Sequence, residues 1–190
     1  KKFFFFVFFL QFFFFFFFIS ETIHYTNKAN IFGKEIERKF LVNGDKYREN
    51  SSKTYYKQGY LSVDKERTVR IRIAGNKGFI TIKGKTTGCS RQEYEYEIPV
   101  TEAEEILDNL CLKPIIEKYR YRYIDADNII WEIDEFMGEN AGLTVAEIEL
   151  PTEDSLFTKP DWIGQEVTDD TRFYNSNLIR NPFKRWKNNK

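Results

Sequence analysis

Histidine is nearly absent from this 190-residue chain: His24 is the only one, and it lies upstream of the patterned part of the sequence. A histidine-ligated zinc site and histidine acid–base chemistry therefore have almost nothing to draw on. Cysteine is scarce as well, and Cys89 and Cys111 have neither metal-ligand spacing nor the numbers for a disulfide framework, which fits a reducing compartment. Net charge is lacking, because 29 basic residues balance 29 acidic ones. A general nucleic-acid binder carries a basic surplus, so that class is set aside, although a balanced total leaves room for charge segregated in a pocket. Repeats with the period of a solenoid or propeller are missing too. Met137 is the one methionine, and the sequence opens on Lys1 instead of a start residue.

Phenylalanine, by contrast, is in excess. Residues 1–19 are almost pure Phe after Lys1 and Lys2, broken by Val7, Leu10 and Gln11. We read this tract as low-complexity sequence outside the domain; a membrane anchor over residues 3–19 and the apolar region of a signal peptide stay open as alternatives. Residues 20–33 form a polar linker, 34–185 a single domain of a size that supports its own core, and 186–190 a polar tail. A cytoplasmic location is expected.

Beyond the linker, short apolar and polar alternations bounded by turn residues predict strands near 34–42, 53–63, 67–74, 77–84, 90–98, 115–125, 128–136 and 143–150. Gly75-Asn76 and Asp127-Asn128 are examples of the turns. Thr101 as N-cap, acidic residues after it and an apolar stripe of Ile106, Leu107 and Leu110 predict a helix. Shorter helices are expected near 45–50, 153–158 and 170–178. The fold class is α+β, mainly β: a closed eight-stranded antiparallel barrel with a few peripheral helices.

An extended strand turns every second side chain to the same side. On that rule Glu35, Glu37 and Lys39 in E-I-E-R-K-F-L-V share a face. The same spacing joins Arg70 with Arg72, Lys83 with Lys85, Arg91 with Glu93, Glu95 and Glu97, Lys118 with Arg120 and Arg122, Glu132 with Asp134, and Glu147 with Glu149. A half-exposed sheet also alternates, with its charged face in water. Here each strand tends to carry one sign, and acidic and basic strands both recur. Enclosed in a barrel, they make separate acidic and basic walls, suited to a polyanion and the cations that neutralise it.

The order of the motifs carries a resemblance. After E-I-E-R-K-F-L-V come Q-G-Y-L, V-R-I-R, F-I-T-I-K-G-K, S-R-Q-E-Y-E-Y-E-I-P, E-K-Y-R-Y, W-E-I-D-E-F, V-A-E-I-E-L-P and E-V-T-D-D-T-R-F-Y-N-S-N-L. This succession, over about Lys34 to Arg185, resembles the CYTH superfamily of triphosphate tunnel metalloenzymes, and most of all its short bacterial-type inorganic triphosphatases. The resemblance implies removal of the terminal phosphate of a small linear triphosphate, above all inorganic tripolyphosphate, with nucleoside triphosphates as secondary substrates.

A triphosphate needs several cations along its length. Arg70, Arg72, Lys83, Lys85, Lys118, Arg120 and Arg122 are candidates, and the resemblance singles out Arg70, Arg72, Lys83, Lys118 and Arg120. Carboxylates on the same face would repel phosphate unless metal stood between, so Glu35, Glu37, Glu93, Glu95, Glu132, Asp134, Glu147 and Glu149 read as hard oxygen ligands for Mg2+ or Mn2+. They are numerous enough for two ions. The resemblance favours Glu35, Glu37, Glu147 and Glu149 as ligands, with Glu93, Glu95, Glu132 and Asp134 as further ligands or their supporting partners. Lys39 is expected to have a lowered pKa and to orient or deprotonate the attacking water, an effect that its carboxylate neighbours oppose. Tyr60, in Q-G-Y-L, is the partner the resemblance implies for Lys39; packing is its plain alternative.

Arg38 and Glu135 alternate out of the charged face and are expected outside it, as is Trp131. Arg172 is the one cation of the E-V-T-D-D-T-R-F-Y segment, where some relatives place a lysine and this chain has Tyr174 and Ser176. Three other readings remain: a class IV type adenylate cyclase, a thiamine triphosphatase, and a non-catalytic polyphosphate-binding module. A homodimer through an exposed barrel face is neither signalled nor excluded.

Overall fold

The computed structural model describes residues 36–87, 90–152 and 154–186. The Phe tract, the linker, Glu35, Cys89 and the last four residues lie outside the described residues, as does the side chain of Arg91. Among the described residues no helix is long and apolar enough to cross a membrane.

Nine strands make up the sheet: β1 (Ile36–Val42), β2 (Ser51–Ser62), β3 (Arg67–Ala74), β4 (Lys77–Thr87), β5 (Ser90–Ile98), β6 (Ile116–Ile124), β7 (Ile130–Phe136), β8 (Thr144–Leu150) and β9 (Ile163–Glu166). Their order is β5-β4-β3-β2-β6-β7-β8-β1-β9, and each neighbouring pair is antiparallel. The mainly-β antiparallel architecture with few helices is thus the one expected. There is one strand more, β9, whose four residues are too short to show alternation. The end strands, β5 and β9, are not hydrogen-bonded to each other among the described residues.

The sheet is strongly curled. Laid flat, Tyr60 on β2 and Lys39 on β1 would stand four strand spacings apart, about 19 Å. Instead Tyr60 shares one apolar cluster with Val145 of β8 and Leu41 of β1. Arg120 on β6 likewise reaches past β7 to Glu147 on β8, at 3.2 Å.

Each face of the curl has its own covering. On the convex side Phe40, Tyr121, Trp131, Ile133, Ala146, Ile148 and Leu150 pack with Tyr47, from a single 3₁₀ turn at Lys46–Asn50, and with Trp162 from the segment before β9. Helix α1 (Val100–Asn109) covers the β3 side, seating Ala103 and Leu107 on Ile71 and Ile73. Two glycines allow that approach: a Cβ at Gly59 would come within 2.8 Å of Cys111 and Ile115 side-chain atoms, and one at Gly78 within 2.8 Å of the Ile98 carbonyl. The helix starts one residue before the expected Thr101. Extended Pro99 precedes it and its carbonyl takes the Ala103 N–H at 3.0 Å, so Thr101 is not the cap.

On the concave side the strands change character along their length. Leu41, Ile116, Phe136 and Val145 follow the charged positions at one end, and there Val167, Phe173, Leu178 and Ile179 pack against them and Tyr60. The helix expected at 170–178 is broken into a 3₁₀ turn, Thr171–Phe173, and α2 (Asn175–Leu178), with α3 (Phe183–Trp186) beyond. No helix forms over 154–158; that stretch is irregular and brings Phe157 onto Phe40 and Trp131.

Candidate active site

Strand register decides which charges meet. On β1 and β8, Lys39 stands opposite Glu147 and Glu37 opposite Glu149. On β8 and β7, Glu147 stands opposite Glu132. Three adjacent strands thus set two carboxylate pairs directly across from each other, an arrangement that is destabilising by itself. Lys39 joins this wall, its ammonium 2.5 Å from Glu147 and 2.8 Å from Glu37. Both carboxylates meet on that ammonium, and Glu37 is held below its usual range: burial raises it, but the Lys39 charge and hydrogen bond outweigh the burial.

The lowering expected of Lys39 depended on metal ions and other cations packed around it; its protein partners are of the other sign. Burial pulls the ammonium down, yet Glu147 and Glu37 pull harder and hold its pKa above the ordinary value. The cations expected to depress it are not its immediate partners; two carboxylates are.

Next to the acidic wall lies β6. Arg120 forks Asp134 through Nε and Nη2, both at 2.7 Å, and also bonds Glu132 and Glu147. Lys118 donates to Asp134 and both are almost wholly buried. Burial would raise Asp134, but Arg120 and Lys118 bring it down to about 2. Burial takes Lys118 to about 8, since Asp134 is shared with Arg120 and cannot compensate fully. Arg122 stands opposite Glu132 but is exposed.

The second basic strand is β3. Arg70 and Arg72 turn toward Glu95 on β5, with Nη2 distances of 3.4 and 3.0 Å, while Thr81 donates to the same carboxylate at 2.8 Å. Their two Nε–H groups are buried without an acceptor. Burial, with Arg70 alongside, lowers Arg72. Lys83 pairs with Glu93 at 2.7 Å. Glu93 and Glu95 therefore sit with the basic side chains of β3 and β4, apart from the group formed by Glu37, Glu132, Asp134 and Glu147. Lys85 leaves the face and pairs with Glu66 in solvent.

Tyr60 is buried on the concave side, and burial raises its phenol, so it is a neutral hydroxyl. The Gln58 amide lies 3.4 Å from it. The residues expected outside are outside: Arg38 pairs with Glu166, Glu135 with Tyr47 and Arg48, and Trp131 sits in the convex core. Arg172 pairs with Asp170 and lies over the Trp186 ring, away from the concave charges.

Sequence reasoning overlooked Thr81, Gln58 and Tyr56. The Tyr56 ring lies 5.3 to 5.9 Å from the cationic groups of Arg120, Arg72 and Lys118. Parity with Tyr60 was the available signal, since positions 56, 58 and 60 of β2 alternate onto one face.

Among the described residues no group of three or more His, Cys, Asp or Glu side chains stands at metal-binding separation. The donor chemistry nevertheless fits a hard divalent ion: opposed carboxylates on adjacent strands, with Glu37 and Glu147 converging on one ammonium and no His or Cys beside them.

Comparison with known proteins gives a consistent result. Residues 33–175 match the CYTH domain. An inorganic triphosphatase of Acetivibrio thermocellus is 57% identical over 155 residues, covering 82% of this chain and 99% of the relative. One from Nitrosomonas europaea is 38% identical over 147 residues, covering 76% and 95%. The crystal structure of an inorganic triphosphatase superposes with a TM-score of 0.61 at 35% identity, covering 76% of this chain and 93% of the other.

Proposed function

Since the chain belongs to the CYTH domain family, we propose that it hydrolyses the terminal phosphoanhydride of a small linear triphosphate, with inorganic tripolyphosphate as the substrate. Water forms the new bond to the terminal phosphorus, the bond to the bridging oxygen breaks, and orthophosphate and pyrophosphate leave. The observation that carries this reading is the segregation of the concave face: carboxylates opposed to carboxylates on β7, β8 and β1, and buried guanidiniums with partnerless Nε–H groups on β3. The first arrangement calls for added positive charge and the second for an added anion.

Glu37, Glu147 and Glu149, with Glu35 before them in sequence and Glu132 and Asp134 beside them, are the residues that would hold Mg2+ or Mn2+. When bound, such ions supply charge neutralisation for the phosphoryl oxygens and a more acidic water. Arg70 and Arg72 offer planar forks to the phosphate oxygens, and Arg120 and Lys83 add charge along the chain. Glu93 and Glu95 hold Lys83, Arg70 and Arg72 in place between turnovers. Lys118, buried against Asp134, fixes that carboxylate and supplies field more than contact. Lys39, held between Glu37 and Glu147, orients and stabilises negative charge, and the Tyr60 hydroxyl donates beside it. Phosphoryl transfer asks mainly for such alignment and charge stabilisation.

The test is orthophosphate release from tripolyphosphate by the full chain with Mg2+ and then Mn2+, beside ATP and a Glu147→Gln variant. Metal-dependent release that the variant lacks supports the proposal. Intact tripolyphosphate under both metals overturns it, and cyclic nucleotide from ATP replaces it with cyclase chemistry.

A further inference from the structure

Lys39 is held at its backbone by the two residues that follow β9. Its carbonyl accepts the Val167 N–H at 2.8 Å, while its N–H donates to the Thr168 hydroxyl at 3.1 Å. Strand β9 has ended by then: Glu166, opposite Phe40, is its last residue, after a register shift between Phe40 and Val42. A side-chain oxygen therefore takes the place of the backbone carbonyl that a longer strand would have supplied. That hydroxyl in turn donates to Glu166 Oε1 at 2.7 Å. Glu166 is fixed by Arg38, whose Nε bonds Oε1 at 2.8 Å and whose Nη2 bonds Oε2. Arg38 itself lies over the rings of Phe40 and Phe157, at 5.5 and 5.0 Å.

We propose that Thr168, fixed by the Arg38–Glu166 pair, is a positioning residue for Lys39: its hydroxyl locks the Lys39 amide and so sets the ammonium between Glu37 and Glu147. The proposal rests on the reading of the concave face as the reacting site. The hydroxyl serves both its neighbours at once, accepting from the backbone and donating to the carboxylate, which neither valine nor alanine can do. Loss of that bond leaves a part-buried N–H without an acceptor at the residue whose side chain must be placed most closely.

The experiment compares tripolyphosphate turnover, with Mg2+ present, by the full chain and by Thr168→Val, Thr168→Ser, Glu166→Gln, Lys39→Met and the Thr168→Val/Lys39→Met double variant. Thr168→Val is expected to lower kcat by roughly tenfold to a hundredfold while KM stays within about twofold. Serine restores the rate, and Glu166→Gln, which keeps the shape but weakens the hold on the hydroxyl, lowers kcat less than valine with the same split. In the Lys39→Met background valine adds no further loss, because the group it acts through is gone. A valine variant as fast as the parent overturns the proposal. So does an equal loss with serine, which would implicate the methyl group, or an undiminished effect in the Lys39→Met background. If Lys39→Met itself turns over normally, the reading of the reacting site falls and this inference with it; if Lys39→Met is impaired while Thr168→Val is not, this inference falls alone.

Discussion

Asp134 shows how much one side chain carries. It is the shared acceptor of Arg120 and Lys118; Asp134 and Lys118 are buried, and Arg120 is partly so. Removing one partner of a buried ion group leaves an uncompensated charge, so Asp134→Asn is expected to cost about 3–5 kcal/mol in urea-induced unfolding at neutral pH. The sign of its pH dependence follows from the lowered pKa. With about 2 in the folded state against 3.8 in the open chain, its stabilisation is present above that higher value and lost as pH falls through about 2. Unfolding measured at successive pH values in that window should show a smaller acid loss in Asp134→Asn than in the parent. At the substrate end, Arg70→Lys keeps the charge but gives up the fork and the buried Nε–H; the expected result is KM for tripolyphosphate raised by about tenfold, read from initial rates. Such residues were legible in the sequence because charge recurred every second position on strands of fixed parity. What parity could not tell was strength of pairing. It grouped Glu93 and Glu95 with Glu37 and Glu147, which only the register across strands separates, and it could not say which charges stand closest to Lys39.

Among elements, α1 was legible from its apolar stripe and β9 was not. A four-residue strand has no period to read, and it is held by pairing with β1, which lies far away in sequence. The broken helix near 170–178 has a similar cause: Phe173, Leu178 and Ile179 must all reach the concave apolar floor, and tertiary packing overrides local preference. The docking of α1 makes a direct prediction. A Cβ at Gly78 would meet the Ile98 carbonyl at 2.8 Å and the Ala103 Cβ at 3.0 Å, backbone and a short side chain that cannot swing aside. Gly78→Ala is therefore expected to lower stability by about 1–3 kcal/mol in denaturant titration, with kcat per folded molecule unchanged, since α1 lies on the convex side.

For the molecule as a whole, the curl matters more than any strand, since it brings walls from opposite parts of the sheet to one cavity. Its acidic side sets two carboxylate pairs across from each other, with Lys39 and Arg120 bonded to Glu37, Glu132 and Glu147. Divalent ions that bind only the folded state should then raise the melting temperature with concentration, by linkage. Thermal unfolding with and without Mg2+ or Mn2+ reads this out, and the rise is expected to shrink in Glu37→Gln; chelation should abolish tripolyphosphate turnover and reverse the rise together. The mainly-β class, eight of the strands and the common charged face came from alternation alone. The degree of curl did not, because β5 and β9, the ends of the sheet, carry no local signature of how near they come.

The position of β1 between β8 and β9 also has a consequence in time. Lys39 and Glu147 are 108 positions apart, and Arg38 and Glu166 are 128 apart. During synthesis β1 leaves the ribosome early and has neither lateral neighbour until most of the chain has followed. The half-made protein carries its first acidic strand as an open edge, and Lys39 gains the neighbours that orient it only once β8 and β9 have been made. Contacts this distant in sequence form slowly. Until then both edges of β1 are open to pairing with another chain.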